Sequence, residues 1–293
     1  MKAKSTICVL AAGIFWGIVG IFGRRLSGAG LTAAESTQLR YLIALAVVGL
    51  YLLAFGKQHF RIRLKDLWCF VCNGIISVFL ASFLYFSAMN YVSLSTAVIL
   101  MYTAPIFVML MSLVLFRERL TGIKLIALAA SFVGCVLVSG VGGEQFHPVG
   151  FLLGLGGGIS YALYSIFSRY AIRRGYSSWT ITFYSFLFSA LSCCFVADWS
   201  LITSVLGSNA GLWPWVLGIG LIPGFLAFFC YSKGLEGMES SKASILVSVE
   251  PVVGTLVSVF YFREPMGFKE GMGILLVIAA VCMLSMKKEK VAS

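Results

Sequence analysis

Glu250 is the residue best placed to carry chemistry, because it is a carboxylate in the middle of an apolar run that spans residues 241–262. A charge at the centre of a bilayer costs roughly 2.5–3.5 kcal/mol on insertion scales, so an ionisable residue at that depth indicates a function. This carboxylate could bind a cationic or amine ligand, or it could exchange a proton. The alternative is a structural ion pair with Arg40, the other charged residue deep inside an apolar run.

Aromatic and hydroxyl side chains in similar runs could complete a binding site around this carboxylate. Rings combined with one carboxylate would suit amphipathic amines or aromatic amino acids, which offer a cation and an apolar face. The alternative for each ring is packing inside a helix bundle or a place in an interfacial aromatic belt. The candidate substrate-binding residues are Trp16, Ser82, Tyr85, Tyr102, Tyr161, Tyr164, Tyr231, Ser244, Ser248 and Glu250.

Two prolines and two glycines are candidates for hinge or gating positions. Pro105 and Pro251 lie near the middle of apolar runs, where a proline removes a helical hydrogen bond and bends the helix. Gly17 and Gly20 lie on one helical face, where small residues let helices approach closely. The alternatives are a static kink at each proline and plain packing at each glycine.

Catalytic and metal chemistry are not indicated. His59 and His147, the two histidines, fall in predicted loops, which argues against a hydrolase or metal site. Cys69 and Cys72 form a CxxC pair, but no second pair follows that would complete a zinc site. No P-loop of the GxxxxGK[ST] type occurs, so ATP hydrolysis is not expected. We therefore predict no enzyme activity, no metal and no cofactor.

The composition requires lipid as the main solvent. The 293 residues are 60% hydrophobic and only 11% charged, whereas a soluble protein has about 25% charged residues. The formal net charge of +11 sits in short loops, where it acts as a topology signal, so no nucleic-acid partner is expected.

The apolar runs predict an all-α membrane protein of ten transmembrane helices, since about 20 apolar residues cross a bilayer. Lys and Arg residues decide the orientation, because cytoplasmic loops are enriched in them. A cytoplasmic N-terminus places 17 of the 22 basic residues inside, so both termini are expected in the cytoplasm. The predicted spans are 7–22, 34–54, 67–88, 94–116, 123–139, 149–167, 179–197, 212–232, 241–262 and 267–286.

The two halves of the chain resemble each other, which predicts repeats at residues 1–143 and 144–293. Residues 13–24 match residues 158–169 at an offset of 145. Residues 95–118 match residues 241–264 at an offset of 146, including the proline and the terminal Phe-Arg-Glu. Five spans per repeat force the second unit to enter the membrane from the opposite side. Inverted-topology repeats of this kind are typical of secondary transporters.

Several motifs resemble the ten-helix EamA-type branch of the drug/metabolite transporter superfamily. They are the Gly-Ile-Phe-Trp-Gly opening at 13–17, Leu-Arg-Tyr at 39–41, Ala104-Pro105, Glu250-Pro251 and the two Phe-Arg-Glu ends. The resemblance implies that spans 1, 3, 4, 6, 8 and 9 surround a central cavity. It also implies transport of amino acids, other metabolites or drugs, often as export.

The expected function is therefore secondary transport of a small metabolite, an amino acid or an amphipathic amine, across the bacterial inner membrane by alternating access. Export is the expected direction, and protons are the candidate coupling ion. An uptake permease or a facilitator of the same fold is the alternative, ahead of a channel or a membrane protein without transport activity. The expected partners are the substrate and the lipid bilayer, and the chain could act as a monomer or a homodimer.

Overall fold

The computed structural model describes residues 2–139 and 147–286, and this part of the chain folds into sixteen α-helices with short connections. The boundary predicted between residues 143 and 144 lies outside the described residues. The helices of the first half are α1 (Lys2–Gly17), α2 (Val19–Ser27), α3 (Ala33–Phe55), α4 (Leu67–Cys72), α5 (Ala81–Ala88), α6 (Leu94–Met101), α7 (Ala104–Phe116) and α8 (Gly122–Ser139).

The second half of the described chain also contains eight helices. Its helices are α9 (Pro148–Arg173), α10 (Ser178–Cys193), α11 (Trp199–Ser208), α12 (Trp213–Ile219), α13 (Ala227–Leu235), α14 (Ser240–Leu246), α15 (Val249–Phe260) and α16 (Phe268–Met286). The sequence offsets make α9 the counterpart of α1, α14 the counterpart of α6, and α15 the counterpart of α7. The predicted all-helical fold with two repeats is confirmed.

Nine of the ten predicted spans are helices long and apolar enough to cross a membrane within the described residues. The exception is the seventh, where the prediction of residues 179–197 was too long. Its helix, α10, has 16 residues and ends at Cys193. At 1.5 Å per residue it is about 24 Å long, less than the ~30 Å of a hydrocarbon core. It is nonetheless packed into the bundle against α3 and α13.

The fourth and ninth spans are each interrupted at mid-length. The fourth breaks between α6 and α7 at Tyr102 and Thr103, and the ninth breaks between α14 and α15 at Val247 and Ser248. Each break follows from the proline that comes after it, since Pro105 and Pro251 have no N–H to donate to the carbonyl four residues earlier. At the second break the Glu250 N–H bonds instead to the Val247 carbonyl oxygen at 3.0 Å, a tighter turn.

Two π-helical turns interrupt the third and eighth spans, a feature with no sequence prediction. They cover Asn73–Leu80 and Gly220–Leu226, which occupy equivalent places in the two repeats. The second contains Pro223, which removes one helical hydrogen bond. π-Turns are rare and are found often at functional sites. The repeat therefore extends to the irregular parts of the backbone.

Small residues let α1 lie directly against the ninth span, as the glycine pattern predicts. A Cβ atom on Gly13 would lie 2.5 Å from a methyl group of Val249, and one on Gly17 would lie 2.5 Å from the Cβ of Val253. Gly20, the second glycine predicted on this helical face, does not make such a contact. Nothing lies within 4 Å of the place for its Cβ atom, so this glycine makes no close helix contact.

Candidate functional site

A central cavity lies where both interrupted helices meet the first, sixth and eighth spans. Its free volume is about 20 Å³. The side chains leave it narrow, with free room for about one or two water molecules. The third span, which the family resemblance places around the cavity, contributes no lining residue among those the structure describes.

Most of the predicted binding residues meet at this cavity. Eight of the ten candidates line it, together with Pro105: Trp16, Tyr102, Tyr161, Tyr164, Tyr231, Ser244, Ser248 and Glu250. Ser82 and Tyr85 are not in its lining. The Ser82 hydroxyl is 2.7 Å from the Tyr41 hydroxyl, so it belongs to a contact between the second and third spans.

Five lining residues were not predicted: Ala104, Val108, Ala162, Ser165 and Val247. Four of them are small or aliphatic and have no chemical signature in the sequence. Ser165 had one usable signal, because it follows Tyr161 by four residues and so lies on the same helical face. Its hydroxyl is 2.7 Å from that of Tyr231.

Glu250 lies in the first turn of α15, at the break of the ninth span. The hydroxyl groups of Tyr102 and Tyr161 both hydrogen-bond to its carboxylate. These tyrosines come from opposite repeats, so the carboxylate joins the two halves of the chain at the cavity. The N-terminal end of a helix carries partial positive charge, which favours an anionic group at this position.

Arg40 does not form the predicted ion pair with Glu250 as a direct contact. The ion pairs among the described residues do not include these two side chains, although the charge of Arg40 acts on the carboxylate through space. Its Nη2 atom is instead 3.4 Å from the Tyr41 hydroxyl, and the guanidinium carbon lies 5.1 Å from the centre of that ring. The Arg40 Nε atom is buried without a hydrogen-bond partner.

Several aromatic rings at the cavity pack against one another. The Trp16 ring lies 5.0 Å from Phe228, 5.6 Å from Tyr231 and 6.1 Å from Tyr161, measured between ring centres. Edge-to-face pairs in this distance range are favourable beyond their apolar area. The Tyr164 hydroxyl is fixed by Ser232 at 2.8 Å. The rings are therefore held in place beside the cavity.

Comparison with known proteins assigns the chain to a family. The model of the EamA-like transporter family matches residues 3–140 and again residues 148–286. The chain belongs to the EamA-like transporter family. These two matches confirm the predicted family, and they correspond to the two repeats of the fold.

Curated relatives of this transporter are similar over nearly their whole length. An uncharacterized transporter of Archaeoglobus fulgidus is 29% identical, with 96% of each chain covered. The uncharacterized transporter YwfM of Bacillus subtilis is 26% identical, with 98% of this chain and 96% of YwfM covered. A solved crystal structure has the same fold, with a TM-score of 0.81, 21% identity, and coverage of 97% of this chain and 96% of that chain.

The side chains that line the cavity of this EamA protein offer groups that can bind a cation. A carboxylate can pair with an ammonium group or take up a proton, and ring faces attract the same cations. Clusters of three or more His, Cys, Asp or Glu side chains that could hold a metal are absent from the described residues.

Proposed function

We propose that this EamA transporter is a secondary transporter that exports a small amine-bearing metabolite, an amino acid or an amphipathic amine, by alternating access. The observation that carries the proposal is Glu250, held by Tyr102 and Tyr161 in a cavity between two interrupted helices. Discontinuous helices that meet at a central site are the usual way in which repeat transporters build a binding site.

The aromatic rings at the cavity favour a substrate that has both a cation and an apolar part. An ammonium group would pair with the Glu250 carboxylate and lie near the Trp16 and Tyr161 rings, which attract cations. An apolar side chain would then lie against Val108 and Val247. The free space is smaller than such a molecule, so binding requires the helices around the cavity to move apart.

One carboxylate that serves both an amine and a proton supports coupling by competition. When the amine binds, the proton leaves Glu250, and when a proton returns, the amine is released. Both species would then cross in opposite directions, which is proton antiport. Across a bacterial inner membrane the proton gradient points inward. Proton antiport would therefore move the amine outward, which is export.

Ligand-induced thermal stabilisation of the purified protein tests this proposal. The panel comprises amino acids, amines, nucleosides and sugars, and the variant is Glu250→Gln. A ligand present at 100 times its dissociation constant should stabilise the fold by about 2.7 kcal/mol. We expect amine-bearing compounds to stabilise the wild type and to lose their effect in the variant.

Glu270→Gln is the matched control, because Glu270 lies in the first turn of α16 and away from the cavity lining. It should respond to ligands as the wild type does. Amines that stabilise Glu250→Gln as strongly as the wild type would contradict the proposed site. In proteoliposomes, uptake of the amine at a rate independent of an imposed pH gradient would contradict proton antiport and favour a facilitator.

A further inference from the structure

The two repeats end their interrupted helices with the same backbone turn. Arg117 and Arg263 occupy equivalent positions and both have left-handed backbone, with φ of 54° and 61°. The N–H of Glu118 then bonds to the Ser112 carbonyl oxygen at 3.2 Å, and the N–H of Glu264 bonds to that of Ser258 at 3.1 Å. Each turn therefore projects one glutamate at one end of the bundle, which we name the Glu118 end and the Glu264 end.

At the Glu118 end the glutamate closes the bundle by capping α14. Its carboxylate accepts hydrogen bonds from the Ser240 N–H at 2.8 Å, the Ser241 N–H at 3.1 Å and the Ser241 hydroxyl at 2.5 Å. Glu118 is only 9% exposed. Arg169 completes the closure, donating to the Ser240 hydroxyl at 3.0 Å and to the Met238 carbonyl oxygen.

At the Glu264 end the equivalent closure is missing. Glu264 pairs with Arg24 at 2.5 Å and accepts from the Ser258 hydroxyl, and 43% of its side chain is exposed. It makes no hydrogen bond to α6 in the described structure, and Leu94 at the start of α6 is 57% exposed. The molecule is thus closed at one end and open at the other.

Helix packing shows the same asymmetry. α14 packs against both α7 and α9. Its counterpart α6 packs against α8 and α9, but in the described part of the chain it makes at most slight contact with α15 and α1. The difference therefore involves whole helices and not only the two glutamates.

The sequence nevertheless keeps the partners for closure at the open end. The offsets of 145 and 146 relate Arg24 to Arg169, Ser95 to Ser241, and Glu264 to Glu118. A backbone N–H is available at Leu94, the counterpart of Ser240. The carboxylate, the arginine and the second serine of the Glu118 end thus have equivalents at the Glu264 end, whereas the Ser240 hydroxyl has none, because its counterpart is a leucine.

We propose that Glu118 and Glu264 are the gating residues of transport and that they cap their helices alternately. In the opposite conformation, Glu264 accepts from the N–H groups of Leu94 and Ser95 and from the Ser95 hydroxyl, while Glu118 releases α14. This inference rests on the alternating access of the proposed function. A carboxylate suits both positions, because a helix N-terminus offers free N–H groups and partial positive charge.

Two gates built largely from equivalent groups favour two states that exchange with each other. A change at one gate then shifts the population toward the state that the other gate stabilises. Weakening the closed gate should therefore close the open one. This reciprocity distinguishes alternate gates from two unrelated helix caps.

Hydrogen–deuterium exchange of the full-length protein in nanodiscs tests the proposal without knowledge of the substrate. In the wild type, the capped amides of Ser240 and Ser241 should exchange slowly, and those of Leu94 and Ser95 rapidly. Glu118→Gln should speed exchange at Ser240 and Ser241 about tenfold, the usual effect of a lost cap. It should at the same time slow exchange at Leu94 and Ser95.

The decisive comparison adds Glu264→Gln to Glu118→Gln. The double variant should keep the fast exchange at Ser240 and Ser241 but lose the slowing at Leu94 and Ser95. If Leu94 and Ser95 do not slow in the single variant, or stay slow in the double variant, the gating proposal is wrong. If Glu118→Gln fails to fold, Ser241→Ala takes its place. It removes one of the three hydrogen bonds to Glu118 and should change the exchange rates in the same direction.

Glu270→Gln is the control for a lost carboxylate and should leave both pairs of amides unchanged. Ligand binding is measured on the same samples. Reciprocal exchange in a protein that binds none of the amines would support the gates and contradict the proposed substrate. Amine binding without reciprocal exchange would contradict the gates alone.

Discussion

The carbonyl oxygen of Leu100 lies 2.6 Å from the position that a Cβ atom on Gly158 would occupy. Gly158 therefore holds α9 directly against the break between α6 and α7. Gly13 does the same in the other repeat, where the Val247 carbonyl oxygen lies 3.0 Å from the position for its Cβ atom. The two glycines thus fix both interrupted helices beside the cavity.

Gly158→Ala should destabilise the protein by about 1–3 kcal/mol, the usual cost of adding a carbon to a filled site. The nearest atom belongs to backbone, so it cannot move aside as a flexible side chain would. Thermal unfolding in detergent measures the effect. Gly20→Ala is the matched control, since the added carbon meets nothing within 4 Å and alanine favours a helix over glycine by roughly 0.5–1 kcal/mol. Equal melting temperatures for the two variants would contradict this account.

Much of the site could be predicted because its chemistry is rare in an apolar chain. Glu250 was visible as one carboxylate in a hydrophobic run, and Pro105 as a helix breaker repeated in the other half. The repeat also paired Trp16 with Tyr161, which the structure brings to one cavity.

The remainder depends on three-dimensional packing that no local pattern encodes. Ser82 has the right chemistry but faces Tyr41, because helix rotation is set by neighbouring helices. Arg40 lies in an apolar run like Glu250, yet the separation of their helices keeps them from direct contact. The π-turn at Asn73 has no distinctive composition. The short length of α10 reflects a turn that begins within an apolar stretch.

Tyr102 and Tyr161 should each show energetic coupling to Glu250. A hydrogen bond to a charged group contributes about 1.5–3 kcal/mol, so Tyr102→Phe and Tyr161→Phe should each destabilise the wild type measurably. In a Glu250→Ala background the same changes should cost much less. Unfolding free energies for each double-mutant cycle should therefore give a coupling above about 1 kcal/mol.

Tyr164→Phe is the control for this experiment, because its hydroxyl lies 2.8 Å from Ser232 and it also lines the cavity. Its cycle with Glu250→Ala should give a coupling within about 0.3–0.5 kcal/mol of zero. A similar coupling for all three tyrosines would mean that the Glu250 hydrogen bonds are not the cause.

Glu236 should make stability depend on pH in the acid range. Burial alone would raise its pKa, but the hydrogen bonds from Lys233 at 2.6 Å and from Ser178 outweigh burial and hold the pKa below its usual 4.5. A lowered pKa adds stability above the unfolded pKa, and this stability is lost as pH falls through the folded pKa. Melting temperatures from pH 7 to pH 3 should therefore fall further for the wild type than for Glu236→Gln. Parallel curves would contradict this role.

The orientation of the transporter can be decided with two single cysteines at exposed loop positions, Gln58 and Asn209. Gln58 lies among Lys57, Arg61 and Arg63, so the excess of basic residues on the cytoplasmic side predicts that it is internal. Asn209 is separated from it by an odd number of predicted spans and should be external. In a background without the eight natural cysteines, a membrane-impermeant maleimide should label Asn209→Cys in intact cells and Gln58→Cys only after permeabilisation.

The reverse pattern would place both termini outside and would turn the closed Glu118 end toward the exterior. Labelling of both positions in intact cells would contradict the odd number of crossings between them, and with it the assignment of α10 as a span.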